Sequence, residues 1–347
     1  MRNALKKIAF TVLDATGAPS LSLKSAGKKP RIFLYHGVSP EIQNYGIANY
    51  RQKFIRPESF REHLVWMKKR FKVLPLFTII ERLNHKEEFD TPACAVTFDD
   101  GYQNLYHYAF PVLKELRVPA TVFLTTDLVD QKGPLWVDIL EYSIGMTTET
   151  EMEVKEMKKK FLLKSFTDRC KADALIRDFL KKIPNQEKVK ILEEITRAAG
   201  KDLRKNFATS PYHGFTWDEM REMEKYGIEF APHTLNHPIL SRLDQKEAEK
   251  EIKESSDRLK IELKNPLPIF AYPNGQPEDF TDETILILKK FGFVAALTTV
   301  SDTIAPQADL FRLPRFSLDG TDDMALFRIT ASGLKKELRS IFDRLKK

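Results

Sequence analysis

Short apolar runs punctuate the chain, and between them apolar residues recur at helical spacing. The runs are "RIFLYHGV" from Arg31, "ACAVTFDD" from Ala93, "ATVFLTT" from Ala120, "IEFAPH" from Ile228, "PIFAYPNG" from Pro268 and "FVAALTT" from Phe293. Each is brief, rich in aromatic and β-branched residues, and followed by a turn-forming or polar cluster, which predicts buried strands. Helical patterning predicts helices over about Pro57–Lys69, Leu105–Leu116, Asp244–Leu263 and Asp282–Phe291. A further helix is announced by Thr216 and Glu219, spaced as a capping box. Strands alternating with amphipathic helices indicate an α/β domain with a largely parallel sheet or barrel.

The alternation stops near Glu149 and resumes after about Lys205. The intervening stretch is rich in Lys and Glu with apolar residues at helical spacing, and it reads as a helical insertion without strands. The expected organisation is an amphipathic segment over residues 1–30, a first barrel part over 31–148, an insertion over 149–207, a second barrel part over 208–320 and a C-terminal helix over 321–347. At 347 residues and 42% hydrophobic, the chain has enough apolar material for a large core.

Charge narrows the partners. The net charge of +7 is spread along the chain, without the arginine-rich block or aromatic–basic alternation that grips nucleic acid. Cys94 falls in a predicted core strand and Cys170 in a charged helical region, so neither a disulfide framework nor a zinc knuckle is indicated. No apolar run has the length of a membrane span. The N-terminal apolar stretch is short and interrupted by Asp14, which favours an uncleaved amphipathic helix, with Ala4, Leu5, Ile8, Ala9 and Val12 on one face, over a secretion signal. The expected location is therefore cytoplasmic. Arg2, Lys6 and Lys7, with the tail cations Lys335, Lys336, Arg339, Arg344, Lys346 and Lys347, suit peripheral contact with an anionic membrane or ordinary solubilising charge.

The chemistry-bearing residues fall at the C-terminal ends of the predicted strands: His36, Asp99, Asp100, His233 and the Pro273–Gly275 turn. In α/β barrels that edge carries the sites. Adjacent carboxylates repel, and desolvating both needs a compensating cation or proton. Asp99 and Asp100 alone also fit a solvated turn with Asp100 capping the next helix. His233 and His237, four apart, bring two imidazoles to one side of a helical turn. Two histidines and one carboxylate make a metal site with open positions, as catalysis requires.

"TFDDGY" followed by "HTLNH" resembles the polysaccharide deacetylase family, the NodB-like carbohydrate esterases. The resemblance covers roughly Arg31–Leu318 outside the insertion and implies a distorted (β/α) barrel that removes N-acetyl groups from amino sugars. It implies Asp100, His233 and His237 as metal ligands, with zinc the default and Co, Ni, Mn or Fe as substitutes, and Asp99 as catalytic base. The usual late L-x-H motif is missing. "LYHGV" is similar instead to the permuted members acting on poly-N-acetylglucosamine, which makes His36 the general acid, against the plainer reading of a buried histidine. "FAYPNG" departs from the family's R-x-P-Y motif. Pro273, Asn274 and Gly275 match its turn, with the Asn274 N–H as oxyanion donor, while Phe270 or Ala271 occupies the arginine position. Arg315, in "FRLPRFSL", is the candidate replacement, with a surface ion pair as the alternative.

Tyr272, Trp136 and Asp138 are further candidates to line a sugar-binding cleft, although a tryptophan such as Trp136 is more often a core residue. The expected substrate is an N-acetylated glycan, an oligosaccharide or a lipid-linked precursor. Two rival functions are a deformylase or other amide hydrolase on the same site, and a non-catalytic glycan-binding module. The retained acid, base and ligand set argues against the module.

Overall fold

The computed structural model describes residues 2–42 and 45–338, with side chains from Ile8 onward. Its strands are β1 (Arg31–Tyr35), β2 (Gly37–Val38), β3 (Phe54–Ile55), β4 (Lys72–Val73), β5 (Ala93–Phe98), β6 (Ala120–Leu124), β7 (Glu151–Val154), β8 (Lys159–Leu162), β9 (Ile228–Pro232), β10 (Ile269–Ala271), β11 (Ala295–Leu297) and β12 (Phe316–Ser317). The main sheet runs β12–β1–β5–β6–β9, with β4 beside the start of β5, and every pairing in it is parallel.

The sheet curls into a distorted barrel. Leu267 N–H donates to Phe230 O (2.8 Å) where the chain passes from β9 towards β10, β10 pairs with β11, and Leu313 bridges Leu297 on the way to β12. Both faces of the strands are buried, which is why they read as near-continuous apolar runs. Ile32, Ala95, Phe123, Ala231, Ala271, Leu297 and Leu313 form one core within the barrel, with Phe123 filling space left by the alanines. Phe33, Tyr35, Val96, Phe98, Val122, Leu124 and Phe230 face outward under the helices. Each such large side chain contributes about 1.5–3 kcal/mol on burial.

The helices follow the patterning closely, spanning Pro57–Arg70, Phe110–Leu116, Trp217–Glu224, Gln245–Glu262 and Asp282–Lys290. A π-helical turn, Leu105–Ala109, precedes Phe110. Thr216 and Glu219 form their capping box, and Asp244 caps its helix with Glu247.

The insertion differs from expectation. It opens with an antiparallel hairpin, β7–β8, before the helices Phe166–Leu180 and Asn185–Ala199. In "EMEV" the residues alternate, Met152 and Val154 buried and Glu151 and Glu153 exposed; Phe161 is buried opposite. That period of two is a strand signature hidden by the surrounding Lys and Glu. Both helices pack on the helix Trp136–Met146, so the insertion's core extends back before residue 149.

The N-terminal helix Arg2–Ala15 docks on the helix Met324–Ala331. It turns inward the side that carries Phe10 and Leu13, both half-buried, and leaves Ile8 and Val12 of the apolar face 60% and 59% exposed. Asp14, on the same helix, pairs with Arg328 of the helix it docks on. The side chains of Arg2, Ala4, Leu5, Lys6 and Lys7, and the tail cations Arg339, Arg344, Lys346 and Lys347, lie outside the described residues.

Candidate active site

Asp99 follows β5 directly, its N–H donating to Tyr35 O (3.0 Å), so the ladder places it at the barrel mouth. Asp100 follows in the left-handed region, φ 76°, and Gly101 at φ 97°. A non-glycine residue held there costs of order 1–3 kcal/mol, and this turn spends it bringing both carboxylates to one cleft. Thr234 (φ 72°), His237 (φ 60°) and Asn274 (φ 59°) share that conformation, so the mouth concentrates backbone strain.

His233 ends β9. Its Nδ1 bonds Ala271 O at 2.7 Å, which requires a proton on Nδ1 and leaves Nε2 as the free lone pair. His237 is carried by a loop rather than the expected helical turn. His237 N–H donates to Thr234 Oγ1 (3.0 Å), and Glu251 accepts from the N–H groups of Leu235 (2.9 Å) and Asn236 (3.3 Å). Asp100 Oδ1 stands 3.7 Å from His233 Nε2 and 3.5 Å from His237 Nε2. The ligand atoms of these three residues lie within 4.8 Å of one another, and all three residues are buried.

These residues fit a divalent cation. Asp100 Oδ1 is buried without a hydrogen-bond partner among the described residues, and burial pushes the Asp100 carboxyl above its ordinary range despite His36 and His233 nearby. A carboxylate oxygen and two imidazole lone pairs converging on one point lack a counter-charge that a cation supplies.

Asp99 is compensated differently. Burial pushes its carboxyl up, but the Arg315 guanidinium outweighs this and holds it below the usual range. Arg315 donates from Nη1 and Nη2 to the two Asp99 oxygens, 2.7 Å each, and from Nε to Thr298 O (2.9 Å). The guanidinium is fully buried above the Phe123 ring. The alternative of a surface ion pair is therefore excluded.

His36 follows β1 at the same edge, with Nδ1 3.0 Å from Asp319 Oδ1. Burial lowers its pKa, but Asp319, with smaller help from Asp100 and Asp99, raises it to about 9. Asp319 was not singled out in the sequence; "SLDG" reads as a turn, and its one signal is its place just beyond a strand end.

The cleft measures about 430 Å³ and is lined by the acid and ligand residues together with Asn274, Thr299, Lys53, Arg177 and Lys181. Asn274 N–H makes no hydrogen bond among the described residues, whereas its carbonyl is held by Thr299 Oγ1. Gly275, at φ 70°, allows this turn to pack: a Cβ there would stand 2.9 Å from Thr299 N. Pro273 is buried beneath the turn and, like Gly275, shapes it instead of lining the cleft.

Three expected cleft residues lie elsewhere. Tyr272 is fully buried, stacked on Phe280, with its hydroxyl donating to Phe311 O (2.9 Å). Trp136 packs in the core of the insertion beneath Lys188. Asp138 is buried behind the wall, paired with Lys53 and accepting from Tyr102 Oη at 2.7 Å. It acts on the cleft only by holding Lys53. Arg177 and Lys181, missed in the sequence, make the insertion one wall of the site; amid so many Lys and Glu residues nothing set them apart.

Fold and site together define a barrel enzyme with its chemistry at the C-terminal strand ends. Residues 86–296 match the sequence model of the polysaccharide deacetylase family, well over half of the chain, and the protein belongs to that family. Among similar sequences, the poly-beta-1,6-N-acetyl-D-glucosamine N-deacetylase of Staphylococcus aureus (strain MSSA476) is 23% identical over 235 residues, 65% of this chain and 74% of the relative. The enzyme of the same name from Staphylococcus epidermidis is 25% identical over 208 residues, 56% of this chain and 63% of the relative. The Streptococcus pyogenes deacetylase PplD in complex with acetate superposes with a TM-score of 0.58 at 19% identity, covering 88% of this chain and 99% of its own. IcaB from Ammonifex degensii gives 0.55 at 17% identity, covering 87% and 97%. These likenesses establish the NodB-type fold.

Proposed function

We propose that the protein is a metal-dependent hydrolase that removes N-acetyl groups from amino sugars of a glycan, with N-acetylglucosamine residues the favoured substrate. The observation that carries this reading is the placement, in one cleft, of a salt-bridged carboxylate, an Asp–His–His cluster and a carboxylate-paired histidine. Asp100, His233 and His237 would hold the cation, and zinc suits two imidazoles and a carboxylate. When bound, such an ion supplies Lewis acidity towards the acetamide carbonyl and lowers the pKa of water.

The chain's own residues divide the remaining work. Asp99, kept ionised by Arg315, accepts a proton from the attacking water. The free Asn274 N–H points to oxyanion stabilisation, provided the acyl oxygen sits at hydrogen-bond distance from it. His36, kept protonated by Asp319, delivers a proton to the departing amine. Burial of Asp99, Asp100, His233, His237 and Arg315 restricts competing water and strengthens the interactions among them, while His36 and Asn274 stay partly open to the cleft.

The names of the staphylococcal relatives support a poly-N-acetylglucosamine-type substrate. Lys53 and Arg177 on the cleft wall are already paired with Asp138 and Asp173, so a short precursor bearing an anionic group, such as a lipid-linked glycan, would rest on Arg51 and Lys181. Acetate and formate release should be measured on a panel of N-acetyl and N-formyl glucosamine oligomers with metal-reconstituted protein. Acetate release matched by new free amine is expected; release of formate alone would replace this reading with a deformylase, and no release with a bound glycan would leave a binding module.

A further inference from the structure

At the opposite end of the barrel, Arg31 opens β1 with its side chain fully buried, and its Nε and Nη2 have no hydrogen-bond partner among the described residues. Its Nη1 makes one long contact, 3.4 Å, with Lys29 O, and its guanidinium lies 5.4 Å from the Phe71 ring centroid. Burial pulls its pKa down to about 10, against weaker support from Cys94 and Glu337. Glu337, the nearest carboxylate acting on it, is engaged by Ser22 Oγ at 3.1 Å. Buried guanidinium donors left unpaired are costly, and native structures satisfy them.

Arg31 forms part of a surface pocket of about 420 Å³ whose other charged residues are Lys24, Lys28 and Arg70, and among the described residues no carboxylate lines it. Ser20 adds a hydroxyl donor. The pocket sits where the helix Ala18–Ala26 meets the end of the helix Pro57–Arg70. Glu337 and Asp14 act on Arg31 and Arg70 from outside the pocket, and four cations with no carboxylate beside them among the described lining residues favour an anionic ligand.

We propose that this pocket is a binding site for a phosphate group, separate from the catalytic cleft, in which Arg31 and Arg70 supply planar donor sets and Lys24 and Lys28 supply charge. Guanidinium groups match phosphate oxygens in geometry, and the lysines add point charge. The phosphate is either free in solution or the headgroup of an anionic lipid. Leu21, on the adjoining helix and 65% exposed, is compatible with the second source.

The test uses the full chain in three forms: wild type, Arg31→Met, and the surface double variant Lys24→Ala/Lys28→Ala, which leaves Arg70 stacked over the Trp66 ring. Thermal unfolding is followed with inorganic phosphate against chloride at matched ionic strength, and co-sedimentation with phosphatidylglycerol and phosphatidylcholine vesicles. Phosphate at about a hundredfold excess over its dissociation constant should raise the wild-type Tm by a few degrees, and raise neither variant. Phosphatidylglycerol vesicles pelleting the wild type several-fold more than either variant, with free phosphate competing, would identify the lipid source. Phosphate binding without vesicle binding would identify the free anion. Equal responses of wild type and Arg31→Met to both probes would overturn the proposal, as would a lower Tm of Arg31→Met with no phosphate response in any form. Deacetylation should be unchanged in both variants.

Discussion

Arg315 donates to both carboxylate oxygens of Asp99 at 2.7 Å, and the two side chains are 0% and 3% exposed. Fixed further by Thr298 O, the guanidinium is committed before any substrate arrives. A carboxylate so held stays ionised below the ordinary carboxylate range and cannot swing away from the cleft.

Arg315→Met should therefore do two things. The Asp99 carboxyl loses the charge that offsets its burial, so its pKa rises and the acid limb of the rate profile moves to higher pH. The group's folded pKa is depressed in the wild type, so its stabilising contribution is present above the ordinary carboxylate pKa and is lost as pH falls through the folded value. In the variant that contribution disappears and an unpaired buried carboxylate remains, costing about 3–5 kcal/mol. Denaturant titration at neutral pH and a pH–rate series check both outcomes.

His36 carries the opposite sign. Its pKa is raised to about 9, so its stabilising contribution is complete below the ordinary histidine pKa and is lost as pH climbs through about 9. The rate should fall along the same alkaline limb. His36→Ala should lower kcat by roughly a hundredfold or more without changing metal content. Asp319→Asn removes the charge that sustains the imidazolium, so the alkaline limb should move to lower pH. Steady-state kinetics across pH on both variants decide this.

Gly275→Ala tests the turn that presents the Asn274 N–H. The new Cβ would meet Thr299 N at 2.9 Å and Tyr272 O at 3.0 Å, both backbone atoms, at φ +70°. Neither can yield as a side chain does, so the turn must shift. Expected are a stability loss of about 1–2 kcal/mol and a fall in kcat larger than any change in KM.

Tyr272→Phe separates core from cleft. The lost hydroxyl leaves Phe311 O unpaired in the interior, which should cost about 1–3 kcal/mol. KM for any glycan should stay constant, because the ring is sealed beneath the turn. A raised KM would return Tyr272 to the substrate.

The strand-end residues were legible because a parallel barrel converts sequence position into spatial position: His36, Asp99, Asp100 and His233 each close an apolar run and meet at one edge. Arg315 was legible as a strand-end cation, but its bidentate grip on Asp99 joins residues far apart in the chain. Asp319 was missed because a turn aspartate and a histidine's counter-ion have the same local sequence. Trp136, Tyr272 and Asp138 were overread: aromatic and polar residues near a site serve its framework as readily as its ligand. The β7–β8 hairpin was masked by Lys and Glu, whose charges suggest helix while Met152, Val154 and Phe161 alternate. The N-terminal helix docks by its Phe10 and Leu13 side, with Asp14 paired to Arg328, and this could not be read from its apolar stripe alone.

The central claim is that Asp99 moves a proton while Asp100, His233 and His237 hold the cation, and acetate release by metal-loaded Asp99→Asn tests it most directly. The amide keeps the side chain's shape but is a far weaker proton acceptor, and it leaves the three ligand residues untouched. The account predicts metal content equal to wild type and turnover reduced by at least about a hundredfold on the same glycan. Wild-type turnover in metal-loaded Asp99→Asn would contradict it.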